Sequence, residues 1–437
     1  MAASGSSLYE TLILESNDQQ RTVDLKLGTI SIDYYEDIFS PTVTAKVRVV
    51  NTGDTITGKD GKLQSIYNGL PLRGGERLSM KVMDNGEGKQ GLDFSTDSQK
   101  YLYVSSITDI TSESQKESFL LNLVSREAIA NETTRVVKKY TGTIDTSVEK
   151  ILQEVIKTER IDVEKSQNKY SFIGNLKKPF TVLVWLASKA VPESSGDATA
   201  GFVFYQTQDG FQFKSIDGLI KQSSKATYIY SEVNQSDITQ DNDFKILNYL
   251  TDKNQNLIEK LRLGAYASQR MFFNPLDFKF TPWEDGVFQL SQYKDRLENL
   301  GGRGNIQLPT MGEGSSQSLG DVPTRILSGI VDVGTLEKDV STETNADPEK
   351  YQAQAIMRYN LLLTQAISMM VPCNTNLRAG DVIECKFPKI SSEDQGTYDT
   401  ETSGLYMIKE LCHHFEPHNS YTSLKLVRDN FGINTRG

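Results

Sequence analysis

The chain has 437 residues, 37% hydrophobic and 24% charged, a globular balance that excludes a disordered or collagen-like polymer. Acidic residues outnumber basic ones 57 to 47, a net charge of −10 that repels a phosphate backbone, so direct nucleic-acid binding is not expected. No apolar run approaches the roughly 20 residues that cross a bilayer, and the length has room for about three domains.

The opening MAASGSSLYETLIL lacks the basic-then-apolar order of a secretory signal, so no Sec-type export step is expected. Residues 28–50 read as strands. Val43, Ala45, Val47 and Val49 alternate with Thr42, Thr44, Lys46 and Arg48, the period of two of a strand with one buried face. Turn-rich stretches follow at 51–54 (NTGD), 58–62 (GKDGK) and 84–91 (DNGEGKQG). Between and after them come the β-like runs ERLSMKV, YLYVSSI and FLLNLV. Short strands divided by glycine and asparagine turns predict a small antiparallel barrel or sandwich.

The pattern then changes. TSVEKILQEVIKTER puts Val148, Ile151, Leu152, Val155 and Ile156 on one helical stripe, and Thr146 and Glu149 have capping-box spacing. A second helix is predicted from Pro179 through FTVLVWLASKAV. Residues 201–217 read as a hairpin turning at Asp209-Gly210. A helix is expected around QLSQYKDRLENL, and residues 301–321 read as a loop. Asp347-Pro348 is an N-cap followed by a first-turn proline, opening a helix through EKYQAQAIMRYN. β-like runs return from Leu361 to the end.

An internal repeat organises these pieces. LRGGERLSMKV at 72–82 aligns without a gap on LRAGDVIECKF at 377–387. Leu72 matches Leu377, Arg73 Arg378, Gly75 Gly380 and Lys81 Lys386, while Glu76 is replaced by Asp381. LYVSSI from Leu102 and LYMIKEL from Leu405 follow, then LLNLV at 120–124 and SLKLV at 423–427. Offsets run from 303 to 305, with the middle register open by one residue. Gly75 and Gly380 fit a tight turn of positive φ leading into a strand. A duplicated barrel with large insertions follows, and three two-barrel chains present six similar barrels, so a threefold assembly can dock on a sixfold one.

Little points to catalysis. Cys373, Cys385 and Cys412 are odd in number, which fits a reducing cytoplasm during assembly and small buried thiols. The histidines, His413, His414 and His418, lie together beside Cys412. On a strand His413 and His414 point to opposite faces, so a turn at a barrel end is expected there rather than a metal site. No GxSxG elbow occurs, and DNGEGKQG lacks P-loop spacing. The apolar stripe from Phe180 to Ala190 reads as core. We therefore assign no catalytic, cofactor-binding or metal residue, and no cofactor.

The stretch YQAQAIMRYNLLLTQAISMMVPCNTNLRAGDVIECKF, with SGLYMIKELCHHF and SLKLVRD after it, resembles the central baseplate hub proteins of T4-like contractile-tailed phages, as does YYEDIFSPTVTAKVRVVNTG near the start. The hubs of type VI secretion spikes are similar in architecture. The resemblance implies a mainly β chain with α+β insertions: two homologous antiparallel tube-like β-barrels plus helical and mixed inserts. Its division would be 1–135 for the first barrel, 136–200 for a helical insert and 201–232 for a hairpin of the second barrel or the insert. Residues 233–345 would form a mixed insert with the loop at 301–321, and 346–437 the second barrel and tail.

The role implied is non-enzymatic: a virion protein assembled in the host cytoplasm, forming a homotrimeric, pseudo-sixfold ring in the tail baseplate. The ring would join the hexameric tail tube, or a tube-initiator protein, to the trimeric spike. Tape-measure and baseplate wedge proteins are further partners. DNA would pass through a polar, acidic channel without specific binding, and no membrane insertion is implied. A receptor- or carbohydrate-binding tail protein is the alternative, although the 37 tyrosines and phenylalanines are spread along the chain. A cell-wall hydrolase is the third reading.

Overall fold

The computed structural model describes residues 7–53, 55–57, 61–83, 91–95, 100–193, 199–230, 244–293, 297–302, 308–310, 312, 314–332, 345–389 and 398–433. Strand makes up 43% and helix 19%, so the chain is mainly β. The first third holds β1 (Leu8–Glu15), β2 (Thr22–Asp24), β3 (Thr29–Asp37), β4 (Thr44–Asn51), the short β5 (Ile56–Thr57) and β6 (Leu63–Gln64), and α1 (Ile66–Gly69). β7 (Arg77–Met83), β8 (Leu92–Phe94), β9 (Leu102–Ser112) and β10 (Glu117–Ser125) complete it. The alternation read from the sequence is the one built: Val43, Ala45, Val47 and Val49 are all buried. Their core also takes in Leu12, Leu78, Leu121 and, from the far end of the chain, Phe415. Most of DNGEGKQG, and parts of NTGD and GKDGK, lie outside the described residues.

The middle of the chain runs α2 (Arg126–Thr133), β11 (Lys139–Tyr140), α3 (Ile144–Lys150) with a π-turn over Ile151–Ile156, β12 (Ile161–Val163), β13 (Phe172–Ile173) and α4 (Pro179–Ala187). Val148, Ile151, Leu152 and Ile156 are buried with the aromatic side chains of α4 and the hairpin that follows. Thr146 and Glu149 do not form the expected capping box. Thr143 is the N-cap residue, and the Thr146 hydroxyl donates to the Thr143 carbonyl at 2.7 Å. β14 (Phe202–Thr207) and β15 (Gly210–Ser215) form the hairpin, and Thr207 pairs with Gly210. Its loop residues are therefore Gln208 and Asp209, one position earlier than expected. The hairpin joins β12 in a separate three-stranded sheet.

Next come α5 (Ile216–Ile220), β16 (Thr227–Ile229), β17 (Asn248–Asn254), α6 (Leu257–Leu263), β18 (Ala267–Asn274), β19 (Lys279–Phe280), β20 (Val287–Gln289) and β21 (Arg325–Ile330). β18 to β21 make a four-stranded sheet of their own. The helix expected over QLSQYKDRLENL is absent from the described residues. Gln289 is held in β20 opposite Ala267, and only a single 3-10 turn, Leu290–Gln292, follows. Beyond it the backbone serves tertiary contacts: the Glu298 carbonyl accepts from Arg358, and the Leu300 N–H donates to Asp429. Those long-range bonds outweigh local helix propensity.

The last part holds α7 (Pro348–Leu362), β22 (Gln365–Pro372), β23 (Val382–Lys386), β24 (Gly404–Phe415) and β25 (Ser420–Arg428). The Asp347 side chain caps α7 by accepting from the Lys350 N–H.

The repeat is structural. In the first copy the strands pair in the order β3-β4-β10-β9-β7-β1; in the second they pair as β17-β22-β25-β24-β23-β16. All these pairs are antiparallel except β16 with β23, which is parallel. The matched glycines behave alike. Gly75 has φ +94° and donates to the Val104 carbonyl at 2.7 Å; Gly380 has φ +91° and donates to the Ile408 carbonyl at 2.8 Å. A one-residue bulge recurs too. Ser105 on β9 is skipped between the pairs Val104–Leu123 and Ser106–Asn122, as Lys409 on β24 is between Ile408–Leu426 and Glu410–Lys425. This sets the middle block at an offset of 304, so Leu102 corresponds to Tyr406 rather than to Leu405.

The two copies share one sheet. β3 pairs with β24 antiparallel from Ile32 opposite Phe415 to Asp37 opposite Glu410, giving a 14-stranded sheet.

Candidate functional site

Period-two alternation gives this sheet one face turned to the cores and one turned away. Across the β24–β3 seam the outward side chains are Asp33, Tyr35 and Asp37 from β3 and Glu410, Cys412 and His414 from β24. Lys46 and Arg48 extend the face along β4, and Lys425 along β25. Its charges meet across strands. Lys425 pairs with Glu410 at 2.9 Å, Lys409 with Asp37 at 3.4 Å and Arg48 with Asp109 at 3.3 Å. This face is therefore not acidic; both signs are interleaved and paired. Such exposed pairs add little stability, but they largely cancel one another's local field.

Beneath the seam lies a buried polar cluster that no sequence motif announced. Glu36, on the core side of β3, accepts from the Tyr34 hydroxyl at 2.8 Å, the Gln208 N–H at 2.7 Å and the Ala379 N–H at 2.9 Å. One carboxylate thereby ties the first copy to the β14–β15 turn and to the glycine turn of the second. Burial pushes its pKa up to about 7, although the Arg378 guanidinium opposes the shift. Arg378 is itself held by Asp209 at 2.8 Å and by the Thr375 carbonyl. The only early sign was the parity of Glu36, which places a charge among the buried residues of β3.

A second buried cluster locks α7. Arg358 donates to Asp429 at 3.0 Å and to Asp217 and the Glu298 carbonyl at 2.5 Å, joining α7 to α5 and to the end of β25. Burial raises the Asp217 carboxyl above its usual range, against the pull of Arg358.

The histidines separate as the strand parity predicts. His413 is fully buried, stacked on Tyr34 and bonded to the Thr422 hydroxyl at 2.9 Å; burial holds its pKa down at about 3. His414 lies on the other face, 2.5 Å from Asp33 and 3.1 Å from Glu416, and the hydrogen bond to Asp33 raises its pKa. His418 is exposed. Among the described residues no group of three His, Cys, Asp or Glu side chains could hold a metal ion. Cys373 and Cys385 are buried free thiols, and Cys412 is half-buried.

No protein-family model matches the chain. Over 273 residues it is 21% identical to the probable baseplate hub protein gp334 of Vibrio phage KVP40, a match covering 61% of this chain and 61% of that protein. The chain therefore spans less than two thirds of this relative's length. Two solved structures share its fold. The tail protein of Neisseria meningitidis MC58 aligns with a TM-score of 0.52 at 8% identity, over 97% of both chains. The 43 kDa tail protein of prophage MuSo2 from Shewanella oneidensis gives 0.51 at 9% identity, over 96% of this chain and 98% of that one. The resemblance to baseplate hub proteins seen in the sequence is matched by this relative.

Proposed function

We propose that this chain is the structural hub of a phage tail baseplate, a homotrimer whose six barrels form a pseudo-sixfold ring between the hexameric tail tube and the trimeric spike. The observation that carries this reading is the duplication itself: one strand order, one glycine turn and one bulge, each present twice and fused edge to edge in a single sheet. Three such chains present six near-equivalent units, and a cyclic arrangement of them matches a sixfold partner on one side and a threefold partner on the other. The outward face, with its paired charges, would line the conduit, neither gripping nor strongly repelling DNA. The role is mechanical rather than enzymatic. Tube and spike proteins are the main partners, tape-measure and wedge proteins further ones, and the place of work is the virion.

Light scattering and electron microscopy of the purified chain, alone and with its spike, test this. A trimer with six density lobes is expected. A stable monomer at tens of micromolar, with and without the spike, would overturn it.

The alternative, a receptor- or carbohydrate-binding tail protein, gains one observation: Phe278, Phe280 and Trp283 are all exposed around the β18–β21 sheet. Glycan-array binding that is lost in a Trp283→Ala variant would favour that reading.

A further inference from the structure

The three-stranded sheet of β12, β15 and β14 has two unlike faces. Phe202, Phe204, Phe211 and Phe213 turn one of them into the core of the insert. On the other, Asp162 lies opposite Gln212 and Gln212 opposite Tyr205, with Glu164 and Lys214 one step along their strands. This polar face is the floor of a cleft of about 500 Å³, walled by Leu219 of α5, by Gln222 and by the glycine turn Arg378–Asp381 of the second copy. Small-molecule sites span roughly 300–1,000 Å³, so the cleft is large enough to be one. The Asp162 and Asp209 side chains, 58% and 62% exposed, stand at its mouth.

At the bottom of the cleft is a hydroxyl with no partner. Tyr205 is 2% exposed, its ring packed among Ile216, Leu219 and Met407, and among the described residues nothing hydrogen-bonds its hydroxyl. In the other copy of the repeat the matching place is satisfied. A Cβ on Gly380 would meet the Tyr205 hydroxyl, as one on Gly75 would meet the Asn17 side chain. The Asn17 amide is spent on its own turn, donating to the Gly74 carbonyl at 3.0 Å and to Glu76 at 3.1 Å. The Tyr205 hydroxyl bonds nothing and faces the cleft. A nearly buried hydroxyl left open is costly, and a ligand in the cleft would recover that cost.

The charges of the lining select a neutral ligand. Four carboxylates, Asp162, Glu164, Asp209 and Asp381, face three cations, Lys214, Lys225 and Arg378. Each cation is already paired: Lys214 with Asp162 at 2.5 Å, Lys225 with Asp381 at 3.0 Å and Arg378 with Asp209 at 2.8 Å. Glu164 accepts from the Ser215 N–H and hydroxyl at 2.7 and 2.8 Å. An anion would therefore meet a net negative lining, and among the described residues no group of three carboxylates is placed to hold a metal ion. The Tyr205 hydroxyl and the Gln212 and Gln222 amides both donate and accept, while Leu219 and Ala379 offer apolar contact. A sugar ring has the same two properties, hydroxyls that donate and accept and an apolar C–H face. We propose that this cleft binds a neutral saccharide of one or two rings, with the Tyr205 hydroxyl donating to one of its oxygens. The site is separate from the exposed aromatic patch at Trp283, and it stands or falls apart from the ring reading.

The test is saturation-transfer NMR of the full-length chain with the methyl glycosides of glucose, galactose, mannose, rhamnose and N-acetylglucosamine, each raised to tens of millimolar. At least one should bind. Tyr205→Phe should weaken that binding about three- to tenfold, the worth of one hydrogen bond, with thermal unfolding unchanged because the hydroxyl bonds nothing in the free chain. Gln212→Leu, at a partly exposed position, should weaken it as well. Binding that survives both changes, or that is lost in Trp283→Ala instead, lies elsewhere and overturns the assignment. Silence from all five glycosides overturns it too, as does tighter binding of the anionic methyl glucuronide.

Discussion

The Ala379 N–H donates to the carboxylate of Glu36 at 2.9 Å, a bond from the second copy of the repeat to the first. Its origin is one methylene. In the first turn Glu76 reaches both the Arg73 and Gly74 N–H groups, at 2.7 and 2.9 Å. In the second turn the shorter Asp381 accepts from Arg378 at 2.8 Å, and Glu36 takes the next N–H in its place. A buried N–H without a partner is costly, so the difference between the two copies is compensated across the seam.

Glu36 should give stability a pH dependence of definite sign. Its folded pKa, about 7, lies above the ordinary 4.5, so the folded state holds its proton more tightly than the unfolded chain. The contribution is complete below about pH 4.5 and is lost as pH rises through 7, amounting to about 3 kcal/mol. Urea unfolding of the parent chain and Glu36→Gln at pH 4.5 and pH 8 measures it. The drop in stability between the two pH values should shrink in the variant; an equal drop in both would show that Glu36 titrates normally.

The twin glycines should not be equally sensitive. Both have φ near +90°, a conformation that costs a residue with a side chain on the order of 1–3 kcal/mol. A Cβ on Gly75 would approach the Asn17 side chain at 3.0 Å, but one on Gly380 would sit 2.3 Å from the buried Tyr205 hydroxyl. Gly380→Ala should therefore lose about 1–3 kcal/mol more than Gly75→Ala, because overpacking adds to backbone strain. Chemical denaturation of the two variants decides it.

Arg358→Ala should rank among the most damaging single changes. It leaves the carboxylates of Asp217 and Asp429 buried without their cation, and breaking such a group costs about 3–5 kcal/mol. The midpoint of urea unfolding is the readout. A loss under 1 kcal/mol would mean that water reaches these carboxylates.

His413 and His414 should separate in a proton NMR titration. His414 should titrate above pH 6.5, since its hydrogen bond to Asp33 favours the imidazolium, while His413 should stay neutral down to about pH 3. The stability that His414 lends is present below pH 6.5 and is lost as pH rises through its folded pKa. Asp33→Asn should bring the His414 midpoint down and leave His413 unchanged.

The sequence by itself determined what depends on neighbours along the chain. The alternation of Val43 to Val49, the proline starts at Pro179 and Pro348, and the glycines at 75 and 380 each act through local backbone geometry, and each was legible. So was the duplication, because two copies of a strand order leave two copies of a pattern. Only the tertiary structure decided what depends on distant segments meeting. The capping box at Thr146 and the helix after Gln289 fit their local patterns, yet the first gave way to Thr143 and the second to bonds with Arg358 and Asp429. The bulges at Ser105 and Lys409 are differences of count between paired strands, visible only once the pairs are known. Glu36 and the seam it underlies share that cause: hydrogen bonding between strands is satisfied by the whole sheet, and no single strand carries that information.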